Sequence, residues 1–285
     1  FYKFTPASTV EAPTALTFSG VTSAGTTVNW VDNSTTEYGF LVTRATDAGF
    51  TSGVVTSTVA STTAAATGQA YTSVQTGLLP STTYYYKVQA LSEGVMSADL
   101  TGFQITNAPG IFISVTTGNF GVAATWDANA VPTQYDSVTI DTGHTVTIDA
   151  TGQAANNVIV KGTLVYGTTP SSFAVNGNLT VDAGALVNVF NGTTGKTLTV
   201  AGNITNNGTI DVSVGATTAG NLTLNGSTVQ TVAGTGTFNT SVIRNLTFSN
   251  TSTAIPNINW GFNNISVDNN LNIANAKINL NSNKL

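Results

Sequence analysis

Short runs of alternating apolar and polar residues follow one another along the first third of the chain. In the clearest run, Tyr84, Tyr86, Val88 and Ala90 occupy every second position. A period of two places one face of a β-strand against a core and the other face in solvent. Turn-forming residues separate about seven such runs, and no helical period interrupts them. The pattern predicts a sandwich of two antiparallel sheets over residues 11–107.

The pattern changes after a proline–glycine junction at Pro109 and Gly110. Segments of the type Asn-Leu-Thr or Asn-Ile-Thr then recur, with the apolar anchors Leu179, Ile204, Leu222, Leu246 and Leu271. A second series, preceded by small residues, has the anchors Leu164, Leu186, Ile210 and Phe238. A recurrence of roughly 20 to 25 residues predicts a parallel β-solenoid, because each coil buries its apolar side only by stacking on the next.

The chain is therefore predicted to be all-β and to have three parts. Residues 1–10 form a lead-in, residues 11–107 a sandwich, and residues 108–285 a parallel β-solenoid. We expect the solenoid to continue beyond residue 285, because the repeat pattern is still running there. Asparagines at equal positions of successive coils are expected to stack their side-chain amides as a ladder.

A family resemblance appears within the predicted sandwich. Residues 77–84, Gly-Leu-Leu-Pro-Ser-Thr-Thr-Tyr, resemble the L-x-P-x-T-x-Y segment of fibronectin type III domains. The resemblance implies that Tyr84 is the tyrosine-corner residue, whose hydroxyl binds the backbone just upstream. It also implies that Trp30 is the buried tryptophan of the second strand, and that residues 33–44 are a loop and the third strand. Such a domain implies a spacer or adhesion role rather than a chemistry.

A second resemblance covers residues 119–149. Ala-Thr-Trp at 124–126, Val131-Pro132 and the run from Asp136 to Asp149 resemble a segment of large exported proteins of the Bacteroidetes type. Phe120 stands where that pattern usually has tryptophan. In those proteins the segment leads into right-handed parallel β-helix repeats. The resemblance therefore implies a right-handed solenoid and a bacterial protein that is extracellular or attached to the cell surface.

The composition narrows the classes of partner. Charged residues make up 7% of the 285 residues, the net charge is −5, and there is no cysteine. Without clustered Lys or Arg, the chain has no electrostatic footprint for nucleic acid. A chain without cysteine has neither disulfides nor thiolate metal sites. No apolar run reaches about 18 residues, so we expect no membrane insertion by this chain.

Candidate catalytic groups are few and scattered. His144, the only histidine, has Asp141 and Asp149 nearby in sequence, but no G-x-S-x-G nucleophile segment is present. We therefore interpret His144 as a turn residue. Asp127 and Asp136 could join Asp141 at a metal, but turn-capping carboxylates explain all three as well. The sequence predicts no catalytic residue, no metal and no cofactor.

Aromatic residues are the candidates for a glycan site. Trp126, Trp260 and Tyr85 could stack on sugars, although tryptophans in a solenoid more often plug its ends or corners. Tyr85 alternates with two core-facing tyrosines and should therefore face outward. Ser137, within Asp-Ser-Val, is a candidate for bacterial O-glycosylation.

Two functions are consistent with the sequence. The first is a structural one without catalysis, in an adhesin, a stalk or a filament subunit that associates with its own copies. The alternative is the carbohydrate-binding portion of a secreted polysaccharide-active enzyme, with surface glycans as partners. A row of exposed aromatic residues along one face of the solenoid would favour the alternative.

Overall fold

The computed structural model describes residues 10–62, 66–189, 196–212, 220–262, 265–274 and 276–281. It divides into two compact units, Phe1–Pro109 and Gly110–Leu285. Of the predicted lead-in, residues 1–9 lie outside the described residues. Val10 belongs to the core of the first unit, where it is buried.

The first unit consists of two antiparallel sheets. Its strands are β1 (Thr14–Ser19), β2 (Thr26–Val31), β3 (Gly39–Ala45), β4 (Val55–Ala60), β5 (Ala70–Gln75), β6 (Thr83–Ser92), β7 (Val95–Met96) and β8 (Leu100–Ile105). One sheet has the order β1-β2-β5. The other has the order β4-β3-β6-β7, with β8 also paired to β6. This arrangement is the sandwich that the alternating runs predict.

Aromatic rings fill the space between the two sheets. Trp30, which is 1% exposed, lies 5.5 Å from the ring of Phe40 and 6.2 Å from the ring of Tyr71. The hydroxyl of Tyr84 accepts a hydrogen bond from the backbone N–H of Leu79 at 3.0 Å, which is the tyrosine corner expected from the sequence. The apolar runs did not reveal β5, because two of its inward positions are Ser73 and Gln75.

The second unit is built from short parallel strands. Those before the first repeat are β9 (Ile111–Ile113) and β10 (Gly118–Asn119), followed by a 3-10 helix, Ala123–Thr125. The next strands are β11 (Ser137–Ile140), β12 (Thr145–Ile148), β13 (Gln153–Ala155), β14 (Val158–Val160), β15 (Thr163–Tyr166), β16 (Ser172–Val175), β17 (Leu179–Val181), β18 (Leu186–Asn188) and β19 (Lys196–Val200). The last are β20 (Ile204–Asn206), β21 (Thr209–Val212), β22 (Gly220–Leu224), β23 (Gln230–Ala233), β24 (Thr237–Phe248), β25 (Ile258–Trp260), β26 (Ser266–Ile273) and β27 (Ile278–Asn279).

These strands form a parallel solenoid of about six turns with three strand columns. The first column is the eight-stranded sheet β27-β25-β23-β20-β17-β14-β11-β9. The second column is β10-β12-β15-β18-β21, and the third is β13-β16-β19-β22. The long strand β24 joins the second and third columns, bending where Thr240 and Ser241 have positive φ. Apolar side chains from all three columns meet in one continuous core.

The register corrects both series of anchors. Leu179 pairs with Ile204 in the first column, whereas Leu222, Leu246 and Leu271 pair with one another in the third. The predicted single series therefore combines residues of two strand columns, because both columns contain the same Asn-apolar-Thr motif. In the second series, Val187 rather than Leu186 occupies the core position. The two residues are adjacent and both apolar, so sequence alone does not choose between them.

Candidate functional site

An asparagine ladder runs across the outer edge of the first strand column. The backbone N–H of Asn178 donates to Oδ1 of Asn157 at 2.9 Å, and that of Asn203 donates to Oδ1 of Asn178 at 2.8 Å. The backbone N–H of Thr231 donates to Oδ1 of Asn203 at 2.8 Å. At the start of the series, Nδ2 of Asn157 donates to the hydroxyl of Ser137 at 3.3 Å. Each side chain thus binds its own coil to the next.

A second asparagine ladder follows the third strand column. Nδ2 of Asn221 donates to the hydroxyl of Thr197 at 3.1 Å, and Nδ2 of Asn245 donates to Oδ1 of Asn221. Asn269 continues the series by donating to Oδ1 of Asn245 at 2.7 Å. Asn221 and Asn245 are partners in the strand register, so their bond is the amide contact expected between equal positions of successive coils. The first ladder instead joins side-chain oxygens to backbone N–H groups, and Asn269 lies one residue before Asn270, the register partner of Asn245. Hydrogen bonds between coils therefore come from side chains as well as from the backbone.

Removing one member of the first ladder should lower the stability of the solenoid. In Asn178→Ala the backbone N–H of Asn203 loses its acceptor, and we expect the free energy of unfolding to fall by about 0.5–1.5 kcal/mol, because this bond is exposed to solvent. Asn178→Asp keeps an acceptor oxygen, so it should keep most of the stability that Asn178→Ala loses. Chemical denaturation of the three proteins provides the measurement. Equal stability of the alanine and aspartate variants would contradict this role of Oδ1.

A groove of about 380 Å³ opens on the outer face of the eight-stranded sheet. Ile111 and Ile159 supply its apolar wall, and Ser137, Asn157 and Asn178 supply hydroxyl and amide groups. Ile111 is 73% exposed. Among the described residues that line the groove, none is charged or aromatic. Ser137 is half-buried here, and its hydroxyl accepts the hydrogen bond from Asn157.

The two solenoid tryptophans are core residues. Trp126 is 1% exposed and Trp260 is 0% exposed, so neither offers a ring face to a sugar. Nε1 of Trp126 donates to the carbonyl of Phe120 at 2.9 Å, and Nε1 of Trp260 donates to the carbonyl of Phe262 at 3.1 Å. Burial thus contradicts the candidate glycan contact at these two residues and agrees with the alternative role, in the core of the solenoid. Every phenylalanine and tryptophan of the second unit is buried within the part of the chain that the structure describes.

Tyr85 is the third predicted glycan residue, and it does face outward. Its neighbours Tyr84 and Tyr86 are buried in the sandwich, whereas Tyr85 is half-buried on the outer face of the sheet. Phe103, which the sequence did not single out, lies beside it with 6.1 Å between the ring centroids. The register of β6 and β8 creates this pair, so residues 18 positions apart meet.

His144 binds a serine at the start of the solenoid. Its Nδ1 lies 3.0 Å from the hydroxyl oxygen of Ser114 and 3.0 Å from the carbonyl oxygen of Ser114. The same hydroxyl accepts the backbone N–H of Asp141 at 2.9 Å, and Ser114 is 2% exposed. Through these hydrogen bonds, the buried Ser114 connects the turn that contains His144 to the end of β9. This agrees with the interpretation of His144 as a turn residue.

The carboxylates near the start of the solenoid bind separate backbone groups. Asp136 accepts from the backbone N–H of Gly110 at 2.6 Å and from Thr133. Asp127 accepts from the backbone N–H of Ile113 at 3.0 Å, and Asp141 accepts from the N–H of the next residue. Within the described ranges, no group of three or more His, Cys, Asp or Glu side chains could hold a metal ion.

The sandwich contains a buried pair of carboxyl groups that was not predicted from the sequence. Asp32 is 1% exposed and Glu37 is 0% exposed, in the loop between β2 and β3. Glu37 accepts from the hydroxyl of Ser61 at 2.7 Å, and Asp32 accepts from the backbone N–H of Ser34 at 2.9 Å. Burial raises the pKa of Asp32 above its ordinary value. The neighbouring charge of Glu37, and a hydrogen bond between the two carboxyl groups, raise that pKa further.

The raised pKa of Asp32 should make the sandwich more stable at mildly acidic pH than at neutral pH. Because its pKa is higher when folded, the folded state binds more protons than the unfolded state. Its contribution is therefore present below the unfolded pKa of about 3.9 and is lost as pH rises through the folded pKa. We expect Asp32→Asn to gain stability relative to wild type as pH rises from 4 to 7. Urea denaturation at both pH values tests this, and a parallel pH dependence of the two proteins would contradict it.

Comparison with known families identifies the first unit. The model of the fibronectin type III domain matches residues 11–103. Residues 11–103 form a fibronectin type III domain. The model of the G8 domain matches residues 125–235, which lie within the solenoid and overlap the segment beginning at Asn119. No curated protein matches the chain.

Several solved structures are similar to part of the chain. A fibronectin type III domain of human collagen XX is 23% identical and covers 36% of this chain and 100% of its own, with a TM-score of 0.28. A two-domain segment of chicken tenascin is 18% identical over 35% of this chain, with a TM-score of 0.30, and this chain spans 52% of that segment. An Fn3-like protein from Clostridium thermocellum is 26% identical and covers 34% of this chain and 92% of its own, with a TM-score of 0.24.

Fibronectin type III and G8 domains together indicate an extracellular protein with a structural character. Among the residues that the structure describes, no helix has the length and hydropathy needed to cross a membrane.

Proposed function

We propose that the chain is a structural segment of a bacterial extracellular or cell-surface protein, a part of a stalk, an adhesin or a filament, and that it acts without catalysis. The observation that carries the proposal is the pair of asparagine ladders, which reinforce the backbone bonds between successive coils. A solenoid whose coils are bound by both means is stiff along its stacking direction. Stiffness is the property that a spacer or stalk requires.

The charged side chains of the solenoid support the same function. Arg244 and Asp268 form an ion pair at 2.8 Å between adjacent coils, and Asn239 donates to Asp211 at 2.8 Å. Lys196 is 1% exposed, and its Nζ donates to the carbonyl of Thr168 at 2.7 Å. These groups bind one part of the solenoid to another.

The absence of cysteine allows a direct test of stiffness. Ile113 and Ala233 are five ladder steps apart in the first strand column, through Thr139, Ile159 and positions 180 and 205. Spin labels at Ile113→Cys and Ala233→Cys should show one narrow distance distribution, set by a backbone separation of about 24 Å at the usual strand spacing. Pulsed electron spin resonance on the full chain provides this distance.

The control is a label pair on a single coil, at Thr180→Cys and Thr163→Cys. The width of its distance distribution reports the motion of the labels alone. A distribution between Ile113 and Ala233 that is much broader than the control would contradict a stiff spacer. A narrow distribution at a much shorter distance would contradict the stacking of coils.

We also propose that copies of the chain associate with one another. Because 7% of its residues are charged, the chain exerts little of the electrostatic repulsion that keeps highly charged proteins apart. Sedimentation velocity over increasing protein concentration should show a rising mean sedimentation coefficient. A constant coefficient for the monomer would contradict this part of the proposal.

A further inference from the structure

The outer face of the five-stranded sheet in the fibronectin type III domain carries an aromatic pair, an exposed phenylalanine beside a half-buried tyrosine. Phe103 on β8 is 60% exposed, and its ring lies 6.1 Å from that of Tyr85 on β6, at an interplanar angle of 45°. Single exposed apolar residues are normal on protein surfaces and need no explanation. Two adjoining aromatic rings on rigid, paired strands form instead a preorganised apolar surface.

Charged groups stand beside this pair on the same face. Lys87 occupies the next outward position of β6 after Tyr85, and its Nζ lies 3.4 Å from Oδ2 of Asp99. The same Nζ lies 5.1 Å from the ring centroid of Phe50, so that this third ring continues the face beyond the lysine. The side chains of Lys87 and Asp99 are 25% and 40% exposed. We call Phe50, Tyr85, Lys87, Asp99 and Phe103 the aromatic platform.

The chemistry of the platform limits its occupant. A stable protein partner needs about 800 Å² of surface on each side. The exposed ring of Phe103, the half-buried ring of Tyr85 and the adjacent Ile105 supply only a small part of that area. Nucleic acid needs several cations, and the platform has one, which is already paired with Asp99. The charges of Lys87 and Asp99 cancel each other, which likewise favours an uncharged ligand.

We propose that the aromatic platform binds neutral pyranose oligosaccharides. One face of a pyranose ring presents C–H groups that pack on an aromatic ring, and its hydroxyls donate and accept hydrogen bonds at the ring edge. Phe103 and Tyr85 provide the stacking surface for such a ring. The ammonium of Lys87 donates to hydroxyl oxygens, and the carboxylate of Asp99 accepts from hydroxyl groups. This binding site is independent of the spacer function of the solenoid.

The test uses the full chain and four soluble probes: cellohexaose, xylohexaose, mannohexaose and chitohexaose. At least one of them should bind with a Kd of about 1 mM or tighter, measured by NMR titration, with the largest shifts on β6 and β8. Phe103→Ala should weaken that binding by about tenfold or more, and Phe103→Trp should retain it. Because Phe103 is exposed, its replacement leaves the sandwich core intact.

Tyr38→Ala is the matched control, since Tyr38 is also an aromatic residue and is 59% exposed, but it lies outside the platform. Its affinity for the probe should equal that of the wild type. Failure of all four probes to bind would overturn the proposal. Binding that survives Phe103→Ala would also overturn it, as would a dimer of the chain that forms through this face and is lost in Phe103→Ala.

Discussion

Trp126→Ala should destabilise the solenoid by about 3–5 kcal/mol, the range for removing a large buried aromatic side chain. Trp126 is 1% exposed and follows the 3-10 helix near the start of the solenoid. Its ring lies 5.3 Å from that of Phe120, whose ring lies 5.3 Å from that of Phe173 on β16. The substitution leaves a cavity at the head of this aromatic series. It also removes the donor that satisfies the carbonyl of Phe120.

Hydrogen exchange followed by mass spectrometry provides the measurement, because it resolves the two units within one chain. Protection should fall first in β11 to β16, while the peptides of the fibronectin type III domain keep their wild-type exchange. Val122→Ala is the control, since Val122 is four residues away and 45% exposed, and such changes usually stay within about 0.5 kcal/mol. A Trp126→Ala protein as stable as Val122→Ala would show that the tryptophan does not support the solenoid.

Features that depend on neighbouring residues could be predicted from the sequence. The tyrosine corner depends on Tyr84 and on Leu79 five residues before it, so a short segment contains all of it. The asparagine ladder could also be predicted, because a repeat places equal residues at equal positions of successive coils. In both cases the local pattern and the tertiary contact carry the same information.

Features that depend on register could not be predicted in the same way. The segments at Leu179 and Leu222 have the same Asn-apolar-Thr sequence, yet they lie in different strand columns. The only evidence that separates them is the number of residues in the intervening turns, which varies from coil to coil. The same limit applies to Val187, because Leu186 beside it fits the core position equally well by composition.

The candidate sites follow the same division. Tyr85 could be placed outward from the alternation within β6 alone, whereas Phe103 joins it only through the pairing of β6 with β8. Asp32 and Glu37 resemble ordinary loop carboxylates in sequence, and their burial depends on how the loop folds back over the sandwich. Trp126 and Trp260 are suitable for sugars or for a core by residue type, and only burial decides between these roles.

Gly208→Ala should destabilise the solenoid by about 3 kcal/mol, at the upper end of the range for overpacking. A Cβ at Gly208 would lie within 3.0 Å of the carbonyl oxygens of Asp182 and Ala185 in the preceding coil. Both contacts are with backbone atoms, which cannot rotate away as a side chain can. The carbonyl of Ala185 also accepts the backbone N–H of Thr209 at 2.9 Å, so the added methyl group separates a donor from its acceptor.

Gly143→Ala calibrates this effect, because Gly143 has a φ of +81° but no atom within 4 Å of its Cβ position. That variant tests backbone strain alone, which we expect to lower the free energy of unfolding by about 1 kcal/mol. Guanidinium denaturation of both variants and the wild type gives the comparison. If Gly208→Ala is no less stable than Gly143→Ala, the coils have room to separate at this corner, and close backbone stacking does not limit the sequence there. If it is clearly less stable, the glycine before β21 is required by the spacing of the coils.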